Sequence, residues 1–453
     1  MRTIIGVRRH SISVPKRPLP YIISCPGPLI MLRFHFTGLW RHANFVRLWI
    51  GQTISVFGSL IGATAMAFTA ILVLDATPFQ LGLLSAARLI PGFLTGLAAG
   101  AWVDRLRRRP ILIGADIGRA VLLATIPFAA VLGLLRIEHL YVVAFLVSIL
   151  TIFFDVAYQS YLPSLIGRAE LVEGNSKLSA SNSVAEVSGF GVAGWLVQIF
   201  TAPMTMLIDA VSFVVSAVAV WMIDQPEEAA SRESRADMRR EIAEGLRAVW
   251  RHPLLRATTA CAFSREFFVG IYGTLVLLYM ARDLGFAPGV LGTIFAVGGI
   301  SSLMGAVATG SLTRRFGVGP SMILGLTLSG IALFLIPLAQ GPTLTAALLL
   351  ILQQLAGDGA LTIYQINQVS LRQTITPERL LGRVSASAEF LGLGATLAGS
   401  ILGGVLGEMI GVRATLFLGA LGALLSTLWL LLSPVRGLRT VAIPLVEFES
   451  TSD

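Results

Sequence analysis

Residues 121–135 read VLLATIPFAAVLGLL, an apolar run that contains no charged side chain. Windows of roughly 20 mostly apolar residues, enough for a helix to cross the ~30 Å hydrocarbon layer of a membrane, recur from residue 45 to residue 432. These runs do not alternate with polar residues as the strands of a porin-type barrel do. The 453 residues are 55% hydrophobic and 13% charged, and the mean hydropathy of +0.79 exceeds what a soluble core requires. The sequence therefore predicts an all-α integral membrane protein.

Twelve such windows are present, in two sets of six. The predicted helices are 45–74, 79–102, 111–134, 140–163, 176–200 and 204–223, followed by 257–281, 289–312, 319–339, 343–368, 384–410 and 413–432.

The distribution of basic residues supports an even number of spans. Most of the 34 Lys and Arg residues lie in the N-terminal arm, in the C-terminal tail and in the loops after even-numbered helices. Only Arg136, Arg282 and Arg413 fall in loops on the other side. Because loops rich in Lys and Arg remain cytoplasmic, both termini are predicted to be cytoplasmic.

A long polar stretch, residues 224–255, divides the apolar chain near its middle. Charged residues between Arg240 and Arg251 are interleaved with Leu246 and Val249 at helical spacing, which predicts an amphipathic helix on the membrane surface. The predicted domains are a cytoplasmic arm 1–44, a six-helix bundle 45–223, a linker 224–256, a second bundle 257–432 and a cytoplasmic tail 433–453.

The N-terminal arm is rich in proline and has no apolar run long enough to span a membrane. Its prolines are Pro15, Pro18, Pro20, Pro26 and Pro28. We expect this arm to be disordered. A translation start at Met31 is the alternative.

The two sets of helices show an internal repeat. A shift of 210 residues places Leu81, Gly82 and Arg105 on Leu291, Gly292 and Arg315, and a shift of 206 places Tyr158 and Gln159 on Tyr364 and Gln365. Two parallel six-helix repeats are the plan of transporters whose halves rock about a site at the middle of the membrane.

Residues 100–109, GAWVDRLRRR, follow the second helix, and a degenerate copy, GSLTRRFG at 310–317, follows the eighth. The first segment resembles the G-x-x-x-D-R-x-G-R-R signature of the major facilitator superfamily, with Arg107 in place of the second glycine. PERLLGRV at 377–384 and YLP at 161–163 resemble a bacterial branch of macrolide-efflux and enterobactin-exporter-like proteins. GFGVAG at 189–194 lacks the proline and one glycine of the drug-exporter motif G-P-x-x-G-G, so this motif does not predict drug/proton antiport.

The resemblance covers residues 40–432 and implies a secondary transporter of the bacterial inner membrane that works by alternating access. The expected function is proton-coupled export of a small amphipathic organic molecule, of the drug or siderophore class, by a monomer. Import of a solute, or a non-transporting sensor or partner subunit, remains an alternative.

Charged residues toward the cytoplasmic ends of the helices form one predicted group. In this family the loop after the second helix acts as a latch, and a permanent ion-pair cluster is the alternative role. The predicted gating residues are Gly100, Asp104, Arg105, Arg108, Arg109, Asp116, Arg119 and Asp155.

A second group lies deeper, where an ionised side chain needs a partner, a water-filled cavity or protonation. The candidate coupling or substrate residues are Arg88, Glu186, Arg265, Glu266, Asp358 and Glu389. Glu266 is placed near the middle of the seventh helix. Its alternative role is pairing with Arg265 or Arg88, although adjacent residues do not share a helix face. Asp209 and Glu408 are predicted to be interfacial.

Other classes of function find no support in the sequence. No G-x-x-x-x-G-K-[ST] occurs, so we do not expect ATP to drive transport within this chain. The five histidines and the two cysteines show no metal spacing, and the basic residues behind the net charge of +9 form no single cluster. We expect no enzyme activity, cofactor, metal or nucleic acid, only a small-molecule substrate, protons and the bilayer.

Overall fold

The computed structural model describes residues 38–103, 106–224 and 238–439. These residues form helices joined by turns and irregular segments, and none of them is in a strand. The helices are α1 (Ala43–Val73), α2 (Pro78–Val103), α3 (Arg108–Val131), α4 (Ile137–Gly167), α5 (Glu170–Phe200), α6 (Ala202–Trp221), α7 (Pro253–Asp283), α8 (Pro288–Phe316), α9 (Val318–Leu338), α10 (Leu344–Ile375), α11 (Glu378–Ile410) and α12 (Val412–Leu431). The linker helix is Met238–Arg251.

Eleven of these helices, among the described residues, are long and apolar enough to cross a membrane. The twelfth, α2, has 26 residues and a similar apolar composition. The prediction of about twelve spanning helices is therefore confirmed. The predictions for the N-terminal arm and for Met31 lie outside the described residues.

The internal repeat is visible in the helix boundaries. Helices α1, α2 and α3 begin at residues 43, 78 and 108, and α7, α8 and α9 begin 210 residues later at 253, 288 and 318. Both α1 and α7 end in a single π-helical turn, Thr69–Val73 and Tyr279–Asp283, with the same offset. The shift of 210 residues in the sequence therefore reflects a structural repeat.

Several helices are longer than predicted, because hydropathy marks only the part of a helix that lies in lipid. The predicted loop 164–175 is largely helical, and the chain breaks only at Gly167, whose φ of 67° suits a residue without a Cβ. On α5, Glu173 accepts a hydrogen bond from Leu39 N at 3.1 Å and pairs with Lys177 at 3.1 Å. The polar turns of α5 therefore hold the segment that precedes α1.

We call the side of the bundle where α1 begins and α12 ends the terminal face, and the side that carries Gly133 and Gly341 the opposite face. Between them, the outer surface is apolar: Phe128, Ile199 and Val307 are 67%, 66% and 86% exposed. Large exposed apolar side chains around the whole bundle are expected when lipid is the solvent.

The two halves meet along α2 with α11 and along α5 with α8. A Cβ placed on Gly194 would lie 2.7 Å from Gly292 Cα, and one on Gly82 would lie 3.1 Å from Gly404 Cα. Only residues without side chains allow backbones this close. Both contacts lie toward the opposite face.

Polar contacts also join the halves at the opposite face. The Arg282 guanidinium donates to Ile71 O at 2.9 Å and to Ala76 O at 3.1 Å. The backbone N–H of Phe79 donates to Glu408 Oε2 at 3.0 Å. The structure is therefore closed at the opposite face.

The linker helix packs against the terminal end of α11. Glu244 pairs with Arg383, and the linker residues Ala248 and Val249 bury against Val384. Trp250, in contrast, is 73% exposed. The helix therefore has one face on the protein and one free face, as its amphipathic sequence predicts.

Candidate functional site

Two cavities lined by described residues lie inside the bundle. The larger, about 690 Å³, opens between α2, α7, α10 and α11 on the terminal side, and we call it the terminal-side cavity. Thr258, near the start of α7, lies at one end, and Glu266, roughly 20 Å along α7 from Pro253 at about 1.5 Å per residue, lies at the other. This cavity therefore reaches from near the terminal face to the middle of the membrane.

Glu266 is the deepest carboxylate of the terminal-side cavity. Its Oε1 accepts a hydrogen bond from Arg265 Nη1 at 2.8 Å, and its Oε2 lies 3.5 Å from the Thr396 hydroxyl, which donates to it. The sequence argument against an Arg265–Glu266 pair is therefore wrong. Adjacent helical residues point in different directions, but these two side chains are long enough to meet beside the helix.

The pair is unequally exposed, because the Glu266 side chain is 37% accessible and the Arg265 side chain 10%. Glu266 therefore presents its charge to the cavity while Arg265 lies behind it. Glu389 and Arg372 also line this cavity, and Glu389 is exposed to it. Phe390 and Leu393 supply an apolar wall, and Phe390 stacks on Phe93 of α2 at 4.6 Å between ring centroids.

The smaller cavity, about 460 Å³, lies deeper, and we call it the inner cavity. Its walls come from α1, α2, α3, α4 and α6 of the first half and from α7 and α11 of the second. The charged residues that line it are Arg88 and Asp209. Arg88 therefore does not share a cavity with the other predicted coupling residues.

Asp116 and Arg119 form an ion pair inside the first half. Arg119 lies roughly 16 Å along α3 from Arg108, deeper than the edge position predicted for it. The guanidinium is sandwiched between Phe154 at 4.4 Å and Phe213 at 4.1 Å from the ring centroids. The Asp116 side chain has no exposed surface, and that of Arg119 is 4% exposed.

Arg119 also lies near carboxylates on other helices. Asp155 of α4 and Asp209 of α6 lie within electrostatic range of its guanidinium, although neither forms an ion pair with it. The structure thus brings together Asp116, Arg119 and Asp155 from the predicted gating group.

Asp209 was predicted to be interfacial, and that prediction is wrong. It is 4% exposed and faces α1, where a Cβ on Gly58 or Gly62 would collide with its carboxylate. The Ser212 hydroxyl donates to its Oδ1 at 3.3 Å. A signal was present in the sequence, since glycines at i and i+4 on α1 leave room for a side chain from a neighbouring helix.

The remaining gating residues lie at the terminal face or outside the described residues. Arg109 donates to Trp221 O at the end of α6, where a cation complements the unpaired carbonyls of a helix C-terminus. Arg108 opens α3, and Gly100 lies in the last turns of α2. Asp104 and Arg105 are outside the described residues.

Asp358 and Glu186 line neither cavity. Asp358 of α10 faces α8, where a Cβ on Gly298 would collide with its carboxylate. Glu186 is exposed and lies near the middle of α5, on the helix face that carries Ser179, Ser183 and Phe190. The candidate coupling residues therefore occupy four separate places.

Relatives of the chain are transporters. It is 26% identical to the uncharacterized MFS-type transporter YfiS of Bacillus subtilis, over 82% of this chain and 88% of YfiS. It is 27% identical to the multidrug efflux pump Tap of Mycolicibacterium fortuitum, over 78% of this chain and 87% of Tap. It is 25% identical to macrolide efflux protein A of Streptococcus pyogenes, over 42% and 46%.

Solved structures share the fold. The nucleoside transporter NupG matches with a TM-score of 0.68 at 13% identity, over 86% of this chain and 98% of NupG. An inward-facing bacterial homologue of the iron transporter ferroportin matches with a TM-score of 0.69 at 17% identity, over 87% and 99%. A family model described as transmembrane secretion effector matches residues 37–450. The chain, with twelve helices in two repeats, therefore belongs to this family of the major facilitator superfamily.

Proposed function

We propose that this protein is a proton-coupled exporter of a small amphipathic organic molecule, that it acts as a monomer, and that it works by alternating access. The observation that carries the proposal is the terminal-side cavity, where Glu266 and Glu389 face an apolar wall that includes Phe390. Two carboxylates beside an aromatic ring suit a solute with a cationic group and an apolar body. Tap and macrolide efflux protein A support export of a drug-class solute.

We propose further that the terminal face is cytoplasmic, because the basic loops lie on that side. A structure closed at the opposite face would then admit solute from the cytoplasm. Tags after Asp453 and within residues 227–235 should be cytoplasmic, and a tag at residues 340–342 should be external. Labelling of all three from one side would overturn this orientation.

Glu266 is proposed as the coupling residue. A carboxylate that faces a cavity in the membrane can hold a proton in one conformation and release it in the other, and each ligand then biases the same equilibrium. Arg265 Nη1 donates a hydrogen bond to the Glu266 carboxylate at 2.8 Å. Arg119 with Asp116 and Asp155, and the loop with Asp104 and Arg105, are proposed to latch the terminal face.

The test is transport by purified protein in proteoliposomes with an imposed pH gradient. A susceptibility panel with a deletion strain first selects the solute. Wild-type protein should concentrate it, Glu266→Gln should bind it without concentrating it, and Glu266→Asp should retain part of the transport. Glu138→Gln is the matched control, because Glu138 is exposed at the opposite face.

Parallel variants decide between carboxylates. Glu186→Gln and Asp358→Asn should still concentrate the solute, and Glu389→Gln should concentrate it while binding it more weakly. If Glu266→Gln concentrates solute and one of these does not, the coupling role passes to that residue. If the wild-type protein only moves solute down the solute gradient, at a rate independent of the pH gradient, proton coupling is overturned. Net uptake of the solute into cells would reverse the proposed direction.

The latch has its own test. Asp104→Asn should lower transport and change the accessibility of single cysteines at the terminal face, while the amount of protein in the membrane stays the same. Wild-type transport by a folded Asp104→Asn variant would remove the latch from the mechanism.

A further inference from the structure

Arg88 is the cation of the inner cavity, and it forms no ion pair with any described residue. Several other arginines of the spanning helices have protein partners. Arg119 pairs with Asp116, Arg265 with Glu266, Arg282 with two carbonyls and Asp75, and Arg413 with Pro337 O. Arg88 is exposed to the cavity. Because a guanidinium stays charged and a charge in the membrane is costly, the cavity must supply either water or an anionic ligand to Arg88.

Asp209, the carboxylate of the same cavity, does not fill this role. Its two oxygens face the glycines of α1, one beside Gly58 and the other beside Gly62. The Arg119 guanidinium lies within electrostatic range of this carboxylate. The charge of Arg88 therefore remains available to a molecule inside the cavity.

Hydroxyl groups line the same cavity as the guanidinium. Ser85 lies one turn before Arg88 on the same face of α2, and Ser59 of α1 and Ser400 of α11 also line the cavity. Leu89, Leu123 and Phe213 form the apolar part of its lining. Positive charge, hydroxyl donors and apolar walls suit a small apolar molecule with one acidic group.

We propose that the inner cavity is a binding site for a small carboxylate-bearing molecule, held by the Arg88 guanidinium with help from the Ser85 hydroxyl. The volume of about 460 Å³ accommodates a molecule with one aromatic ring. This site is distinct from the carboxylate-lined terminal-side cavity proposed for a cationic solute. Since both halves contribute to its walls, its occupancy is sensitive to their relative movement.

The experiment measures equilibrium binding of benzoate to the full-length protein in phosphatidylcholine nanodiscs, by isothermal titration calorimetry. Benzyl alcohol and benzylamine are the neutral and cationic probes of similar shape. We expect benzoate to bind and the other two not to bind. Arg88→Gln should weaken benzoate binding at least about tenfold. Arg88→Lys should weaken it less, because lysine keeps the positive charge but cannot donate two parallel hydrogen bonds to a carboxylate.

Two controls keep the result interpretable. Arg413→Gln removes an arginine outside the cavity and should leave benzoate binding unchanged. Glu389→Gln, in the other cavity, should also leave it unchanged, so a failure of proton-coupled export would not affect this assay. Thermal melting confirms that each variant is folded. If Arg88→Gln does not fold, Ser85→Ala replaces it as the test, with an expected two- to threefold loss of benzoate affinity.

Three results would overturn the proposal. The first is the absence of benzoate binding to the wild type, and the second is binding that survives Arg88→Gln in a folded protein. The third is binding of phosphatidylglycerol that requires Arg88 and that benzoate does not displace. That result would assign the guanidinium to a lipid phosphate.

Discussion

Each half of the molecule places an arginine–carboxylate pair inside the membrane, and the two pairs differ in exposure. In the first half, the side chains of Arg119 and Asp116 are 4% and 0% exposed, between two phenylalanine rings. In the second half, those of Arg265 and Glu266 are 10% and 37% exposed, and Glu266 faces a cavity. The first pair is part of the packed interior, whereas the second presents one member to solute.

This difference teaches that an ion pair in a membrane protein can serve stability or chemistry according to its access to water. A buried pair is costly to break because the remaining charge has no solvent. A pair at a cavity loses a partner at lower cost because water can replace it. Removing one member of each pair should therefore have unequal effects.

Arg119→Gln should have the largest effect. It leaves Asp116 as an uncompensated charge in a fully buried place, which typically costs about 3–5 kcal/mol. Unfolding in mixed detergent micelles measures the loss. The double variant Asp116→Asn with Arg119→Gln should recover much of it, and a wild-type unfolding curve for Arg119→Gln alone would refute the structural role of this pair.

Gly62→Ala should have an intermediate effect. The added Cβ would collide with the Asp209 carboxylate beside the first pair, and overpacking of this kind costs about 1–3 kcal/mol. Gly114→Ala is the matched control, since a Cβ there meets nothing within 4 Å on α3. That control should be neutral or slightly stabilising, and equal losses from both variants would mean that Asp209 is not confined by α1.

Glu266→Gln should have the smallest effect on stability, below about 1 kcal/mol, because the carboxylate is partly exposed to the cavity, where water can take its place beside Arg265. The same variant should abolish concentrative export, so its unfolding and transport must be measured on one preparation. A loss of stability as large as that of Arg119→Gln would show that the two pairs do not differ in kind.

The sequence determined much of the fold. Apolar runs such as residues 121–135 fix where helices cross lipid, because the cost of unpaired backbone groups in hydrocarbon leaves few other structures. The shift of 210 residues between Gly82 and Gly292 revealed the repeat that the helix starts confirm. Helix ends were predicted less well, as at residues 164–175, because a helix continues in water when its polar side chains find partners such as Leu39 N and Lys177.

The sequence also selected the charged residues that matter, because ionisable side chains are rare in membrane helices. Only the tertiary structure decided which of them share a site. Asp209 sits on α6, yet it is confined by two glycines more than 145 residues earlier in the chain. Glu266 meets Arg265 although helix geometry argues against it, while Arg88 is left facing a cavity. Partners of this kind depend on side-chain length and on the packing of distant helices, which hydropathy and spacing along one helix do not specify.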